Sequence, residues 1–350
     1  EQVGERISSA WDGENYMALS SKGDQMLFLE NMARNMCVDY KESWSRSGYN
    51  ISWIHFDWFC KSYLDYKEKH FLKDYTDMLS GFLNFKNKPN LTAIIVDEAQ
   101  DLSQLQWQCI YKLAQDVEHV YFAGDDDQAI YTWAGADTDE FINLKGNTIY
   151  LEQSYRVPKK VHDVAFKIVN RIQNRKPKTW LPREEEGAVS YHKSFEHIDM
   201  SEGEWLVLAR NNYLLNDVEN YLKAVGYFYY KNNKASVSET LIQAIKDWER
   251  LRKGEKIKAE EVRKIYNYMR SGVGVKKGFK TLKQVDPKVE LNINDLKKDY
   301  GLMVDKIWHQ CFDLLGDAQK EYIISCLRKG EKTMKIRIRL SSIHAIKGGE

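Results

Sequence analysis

Two short apolar runs, each ending in acid, constrain this chain more than any other feature. Residues 91–96 read Leu-Thr-Ala-Ile-Ile-Val and lead into Asp97-Glu98. Residues 117–123 are again mostly apolar and lead into Gly124-Asp125-Asp126-Asp127. An almost wholly apolar run of this length reads as a strand buried on both faces of a parallel sheet. Residues 103–115 between them carry helical spacing, so strand, helix and strand form a βαβ unit and the class is α/β. In open α/β sheets, ligands bind at the carboxyl ends of the strands. Both acidic clusters fall there.

The alternation continues downstream. Strands are expected at 148–151, 188–192 and 205–209, with a helix after Pro158 and another over 213–224. Residues 1–88 read as helical, because apolar residues recur at helical spacing over 25–36, 56–66 and 71–85. Trp53, Phe56, Trp58, Phe59, Tyr63 and Tyr66 crowd this stretch, and they suit either a buried core or stacking on bases. Residues 237–333 return to helices rich in Lys and Arg, with no strand signal. Over 335–341 the pattern alternates, with Ile336, Ile338 and Leu340 on one face, so a strand returns. A helical block between two strand-bearing blocks reads as an insertion.

The formal net charge is +1, which excludes an all-over basic coat and a polyacidic tail. The sum hides local asymmetry. Residues 97–140 carry eleven acids against Lys112, an arrangement that repels a polyphosphate unless a cation is bound. Residues 252–283 carry eleven bases against three acids, which suits a solvated helical face or a nucleic-acid contact. No apolar run approaches the roughly 20 residues of a membrane span. Five widely spaced cysteines without a Cys-x-x-Cys point away from a disulfide framework or a zinc ribbon. A reducing, cytoplasmic setting is expected.

Four segments carry chemistry. In Asp97-Glu98-Ala99-Gln100-Asp101, a carboxylate at a strand tip can hold magnesium through water, and Glu98 beside it can polarise an attacking water. In Gly124-Asp125-Asp126-Asp127-Gln128, Gln128 can bond a terminal phosphate or its attacking water. Tyr131 and Trp133 follow; a lone Trp is ordinarily core, but aromatics in a nucleic-acid protein stack on bases for about 1–3 kcal/mol each. In Glu152-Gln153-Ser154-Tyr155-Arg156, Tyr155 can stack on a purine and Arg156 can reach a phosphate as an arginine finger, worth ~10³–10⁵ in rate. Finally, residues 341–350 bring hydroxyls, His344, Lys347 and glycines to a strand-to-helix turn suited to phosphate contacts.

Together, Asp-Glu-Ala-Gln-Asp, Gly-Asp-Asp-Asp-Gln-(x)-Ile-Tyr-(x)-Trp-(x)-Gly-Ala, Glu-Gln-Ser-Tyr-Arg and His-Ala-(x)-Lys-Gly-Gly-Glu resemble the UvrD/Rep-type superfamily-one DNA helicases. The resemblance covers 90–235 and 334–350 by motif and the helical blocks by position. It implies two RecA-like P-loop-NTPase-type domains, the first incomplete, each with a helical insertion. The divisions would be a helical insertion over 1–88, the rest of the first domain over 89–148, the second domain over 149–236 and 334–350, and its basic insertion over 237–333. It also implies an ATP-dependent translocase moving 3′ to 5′ on single-stranded DNA toward a single-strand/duplex junction, with ATP and magnesium as cofactors.

The same resemblance assigns roles. Asp97 would be the magnesium-associated acid, Glu98 the catalytic base and Gln128 the γ-phosphate sensor, with Gly124 and Asp125 at the nucleotide. Tyr155 would stack on adenine and Arg156 reach the γ-phosphate, while Glu350 would meet the ribose. Trp133 and Tyr131 would form the DNA platform, with Arg210, Ser342 and His344 also facing DNA. The family's phosphate loop, Gly-x-x-x-x-Gly-Lys-Thr/Ser, is absent from the sequence, as are its adenine-reading and final arginine motifs. The chain starts at Glu1 and ends on Glu350, so an internal fragment, inactive by itself, is expected. A non-hydrolysing nucleic-acid-binding or regulatory module with the same fold is the rival, and a nuclease using the acidic clusters a third reading.

Overall fold

The computed structural model describes residues 21–282, 285–331 and 335–348. The chain separates into two compact units, Glu1–Tyr191 and His192–Glu350. Residues 149–191, expected with the second domain, cluster with the first unit.

The first unit begins with α1 (Lys22–Asn35), α2 (Tyr40–Arg46), α3 (Trp53–Lys69) and α4 (Tyr75–Asn84). Each follows a residue whose side chain accepts an early helical N–H: Ser21, Asp39, Ser52 and Asp74. These caps satisfy donors that a helix start leaves without partners. Met26, Leu29, Phe56 and Phe59 are buried in the shared core, with Trp53 and Tyr63 packed against it. Burial therefore decides the earlier choice for Phe56 and Phe59 in favour of core. Arg34 reaches Asp74 and Asp77 at 2.6 and 2.8 Å, and Lys67 reaches the same two acids at 2.8 Å each, so α4 is pinned to α1 and α3.

The expected βαβ unit follows as β1 (Ala93–Val96), α5 (Gln104–Ala114) and β2 (His119–Phe122). β1 and β2 pair in parallel, Ala93 opposite His119 and Val96 opposite Phe122. α5 opens on a capping box between Ser103 and Gln106 and lays the buried Trp107 on Phe122, ring centroids 5.4 Å apart. The expectation of burial on both faces is corrected: Ile95 is 78% and Tyr121 58% exposed. α5 covers one face, alternate residues point to the other, and among the described residues β1 pairs with β2 alone.

α6 (Thr138–Ile142) and α7 (Lys159–Val169) complete the unit. The strands expected at 148–151 and 188–192 do not form. Leu151 is 92% exposed, and Ile149 and Tyr191 are also exposed. Extended chain becomes a strand only when a neighbour supplies the ladder, and here pairing starts later. Ser154 donates its N–H to Leu181 O at 2.8 Å and Arg183 donates to Val157 O at 2.9 Å.

In the second unit, β3 (Trp205–Ala209), α8 (Leu215–Val225), β4 (Tyr229–Lys231) and β5 (Lys234–Ala235) come first. A helical block then runs through α9 (Glu239–Arg252), β6 (Ile257–Lys258), α10 (Ala259–Tyr266), β7 (Glu290–Leu291), α11 (Ile293–Lys298), α12 (Trp308–Cys311) and α13 (Asp317–Arg328). β8 (Ile338–Ser342) and α14 (Ile343–Ile346) follow it. The sheet order is β3-β8-β4-β5, with β8 parallel to both its neighbours. So the strand after the block returns to the centre of the sheet, where Ile338 and Leu340 are buried. Leu222, Phe228, Trp248, Ile265 and Phe312 share one core with them.

Two elements depart from expectation. The block expected to lack strands contains the antiparallel β6–β7 pair, whose two residues per strand are too few to show a period. The β4–β5 hairpin was also not anticipated, although its turn residues Asn232 and Asn233 take φ of 48° and 60°, a left-handed conformation Asn tolerates. Among the described residues no helix is long and apolar enough to cross a membrane.

Gly226 ends α8 at φ +77°, and a Cβ there would fall on Ser325 Oγ and 2.9 Å from the Ser325 carbonyl carbon. Gly226→Ala is expected to destabilise the second unit by at least about 1–2 kcal/mol. Denaturant unfolding followed by Trp fluorescence measures this, and an unchanged midpoint would show that the α8–α13 packing yields at no cost.

Candidate functional site

The ends of β1 and β2 are joined before any side chain takes part. Ala123 donates its N–H to Val96 O at 2.8 Å, and Ala99 donates to Ala123 O at 2.9 Å. The two acidic loop tips are thereby side by side. Glu98 takes φ 51° and ψ 39°, the left-handed region, which costs a non-glycine residue roughly 1–2 kcal/mol. Asp97 Oδ1 accepts the Glu98 N–H at 2.9 Å, and both acidic side chains are exposed.

Gln100, fully buried, connects the tips. Its Nε2 donates to Glu98 Oε2 at 2.6 Å and to Asp101 Oδ2 at 3.3 Å. Its Oε1 accepts the Asp125 N–H at 3.0 Å. Gly124 has a structural reason of its own: a Cβ there would fall on Gln100 Oε1 and lie 3.2 Å from the Ala99 nitrogen. Asp125 Oδ2 in turn accepts from Gln128 Nε2 at 2.8 Å. Glu98, Gly124, Asp125 and Gln128 therefore form one connected group, with Asp97 adjoining through the Glu98 N–H. The motif alone assigns Gln100 no role. Its signal was an uncharged polar residue among acids directly after a strand.

The three aspartates 125–127 meet cations from far along the chain. Arg175 grips Asp127 with two bonds, Nε to Oδ1 at 2.7 Å and Nη2 to Oδ2 at 2.6 Å. Lys178 pairs with Asp126, with Asp125 at 3.0 Å and with Asp127 at 3.1 Å. The Lys176 N–H donates to Asp126 Oδ2 at 2.8 Å. The Asp126 and Asp127 side chains are 4% and 7% exposed. Burial would raise the Asp127 carboxyl, but hydrogen bonds from Arg175 and Lys178 outweigh it and hold the group below its ordinary value. This corrects the picture of a uniformly repulsive acidic stretch: three of its eleven acids are neutralised from outside the window. No local pattern near Arg175 announces that contact.

The remaining expected residues lie elsewhere. Tyr131 and Trp133 are half-buried, and Trp133 packs against the helical core instead of standing clear of the surface. Gly135 beside it approaches Asn35 and Met36 at the end of α1. Tyr155 and Arg156 are exposed on a turn of their own, where Ser154 Oγ accepts the Arg156 N–H at 3.4 Å. In the second unit, exposed Arg210 donates to the ring of His344, 3.1 Å from Nδ1. His344 and Ser342 are buried, and the Ser342 hydroxyl accepts the Ala345 N–H at 3.1 Å as the cap of α14. The expectation that these two face DNA is therefore corrected to an interior placement, with Arg210 as the exposed member. Glu350 lies outside the described residues.

Residues 15–148 match the UvrD/REP helicase N-terminal domain family. Over those residues the chain is similar to a UvrD/REP helicase N-terminal domain. It is also 30% identical over 158 residues to the ATP-dependent DNA helicase PcrA of Bacillus subtilis strain 168, covering 43% of this chain and 21% of that protein. PcrA of Staphylococcus aureus strain Mu50 is 29% identical over 144 residues, covering 37% and 20%. PcrA of Staphylococcus epidermidis is 31% identical over 115 residues, covering 31% and 16%. The chain thus spans about a fifth of the length of the first relatives it matches. The matched residues include Asp97, Glu98, Gly124, Asp125, Gln128, Tyr131 and Trp133; Tyr155, Arg156, Arg210, Ser342 and His344 lie beyond residue 148.

Removing Arg175 while leaving its acids in place should be costly. Arg175→Met is expected to destabilise the first unit by about 3 kcal/mol, because Asp127 is left buried with Lys178 alone. Asp127 carries a depressed carboxyl, so its contribution is full above the unfolded value of about 3.9 and is lost as pH falls through the folded value. Denaturation at pH 7 and pH 3 should therefore show a smaller gap between parent and Arg175→Met at the lower pH. An equal gap would assign the loss to packing.

Proposed function

We propose that this chain is part of an ATP-dependent DNA helicase that moves 3′ to 5′ on single-stranded DNA toward a junction with duplex, working in the cytoplasm. The observation that carries the reading is the joined pair of strand ends, where Gln100 holds Glu98 and the Gln128 turn together. In the proposed architecture, strands 93–122 belong to one RecA-like domain and strands 205–342 to a second, with helical insertions formed by the described residues of 1–88 and 237–333.

The donor set fits magnesium and a nucleotide phosphate. Asp97 and Glu98 are exposed carboxylates at a strand end, and magnesium in such sites takes one or two carboxylates with waters and phosphate oxygens. Bound there, magnesium-ATP supplies the free energy of phosphoanhydride hydrolysis. Glu98, fixed by Gln100, orients and deprotonates the attacking water. Asp97 would be the carboxylate that holds the cation. Gln128, at the end of the same hydrogen-bond chain, registers the terminal phosphate, with Gly124 and Asp125 shaping the turn beneath it. Tyr155 stacks on adenine, Arg156 answers the charge that develops on the phosphoryl group, and Glu350 contacts the ribose. Opening a base pair costs on average about 1.4 kcal/mol, so one nucleotide per step suffices.

DNA would run over the exposed parts of Trp133 and Tyr131, with Arg210 on the second unit contacting phosphate. Ser342 and His344 act behind Arg210, the first as a helix cap and the second as its ring partner. The exposed bases of 252–283 add a further contact surface. Arg263, which spends its guanidinium on the carbonyls of Leu282 and Val285, is excluded from it.

Two measurements test the reading. Single-stranded DNA is expected to bind weakly, without sequence preference and with a steep fall as salt rises. Trp133→Ala should weaken it by about 1–3 kcal/mol in fluorescence anisotropy. Salt-independent binding, or no loss in the variant, would overturn the DNA path. The second is hydrolysis. With no phosphate-loop lysine in the sequence, residues 1–350 are expected to show no DNA-stimulated ATP turnover in a coupled assay. Robust turnover abolished by Glu98→Gln would mean that phosphate is held by a loop of another kind. Tight DNA binding with no response to nucleotide of any polypeptide carrying this segment would favour the non-hydrolysing rival.

A further inference from the structure

The 100–128 region contains one fully buried polar side chain that touches both acidic tips, and its role goes beyond filling space. We propose that Gln100 is a positioning residue that makes Glu98 and the 124–128 turn move as one body, so that a displacement at either tip is transmitted to the other. The inference rests on the reading of Glu98 and Gln128 as the residues that face the nucleotide, and it adds the link between them.

The geometry is specific in three ways. First, the carboxamide is used at both ends. Nε2 donates to Glu98 at 2.6 Å while Oε1 accepts from Asp125 at 3.0 Å, so rotating the amide for one bond breaks the other. Second, the contact has been given room. Gly124 leaves no side chain where Gln100 Oε1 lies, and any larger residue would force the amide out. Third, the link acts on a strained group. Glu98 sits in the left-handed region, and its carboxylate is held by a buried donor despite its own exposure. A residue that merely packed the loop would need none of these. The chain of bonds continues from the Asp125 carboxylate to Gln128, so four side chains and one backbone N–H complete a path between base and sensor.

The partners of this path can be separated by substitution. Gln100→Leu removes the bonds to Glu98 and Asp125 together with the longer one to Asp101. Gln100→Glu keeps an acceptor for the Asp125 N–H but replaces the donor to Glu98 with a second carboxylate. Glu98→Ala, at an exposed position, removes the Glu98 acceptor alone and leaves Asp101 as the acceptor of the carboxamide.

Hydrogen exchange followed by NMR on the 350-residue chain decides the matter without nucleotide. Losing a buried hydrogen bond is worth about tenfold in local opening. Gln100→Leu is therefore expected to speed Asp125 amide exchange by about tenfold or more, with the β2 amides within about twofold of the parent. Gln100→Glu should leave the Asp125 amide protected. Glu98→Ala should leave it protected too, while the Gln100 carboxamide protons, slow in the parent, exchange faster because only the longer bond to Asp101 remains. Unchanged Asp125 exchange in Gln100→Leu would overturn the proposal. So would Gln100 carboxamide protons indifferent to Glu98→Ala. Because no outcome depends on hydrolysis, a failure here leaves the helicase reading standing, and a chain that never meets ATP leaves the link testable.

Discussion

A carboxamide buried without solvent must be satisfied on both its donor and its acceptor side, since each lost bond costs about 1–3 kcal/mol. Gln100 meets that demand with groups from two different loops, and most of the local structure follows from it. Glu98 turns into the left-handed region to present its carboxylate, Gly124 gives up a side chain to admit the amide, and Asp125 points its N–H inward. The backbone bonds from Ala123 to Val96 and from Ala99 to Ala123 bring the tips close enough for one side chain to span them. Parallel pairing of β1 with β2 is the precondition, because only parallel strands finish at the same edge.

The acids at that edge divide into two kinds. Asp126 and Asp127 are buried with Arg175 and Lys178 as partners, an arrangement that fixes the turn and leaves little charge to offer a ligand. Asp97 and Glu98 are exposed, with hydrogen bonds that orient them and no cation of their own in ion-pair range among the described residues. Proximity in sequence conceals this division. All four acids lie within a single acidic stretch, whereas the cations that separate them arrive from about fifty residues away. Of the two, the exposed pair is suited to chemistry and the neutralised set to holding its shape.

Where apolar periodicity was strong, the sequence was legible. β1, α5, β2, β3, α8 and β8 fall where the runs and the helical spacing put them, and the caps at Ser21, Ser52 and Ser103 mark helix starts by residue type. What it could not convey was the surroundings. Ile95 and Leu151 read as interior strand residues, but whether a strand is covered or even paired depends on segments that its own pattern does not contain. The site was legible in part for the same reason. Asp97, Glu98 and Gln128 stand at a strand edge as expected, while the roles of Gln100, Arg175 and Lys178 exist only through contacts. Ser342 is instructive: a Ser three residues before the N–H it caps is a readable helix start, and that ordinary role accounts for its burial.

On the proposed reading, the exposed strand-end acids and not the neutralised 125–127 turn receive the cation. A magnesium titration of the 350-residue chain monitored by backbone NMR tests it most directly. Saturable shifts centred on Asp97 and Glu98 and carried to Gln100 are expected, with Asp126, Asp127 and Arg175 unmoved. Shifts centred on 125–127, or none at 97–98, would contradict it.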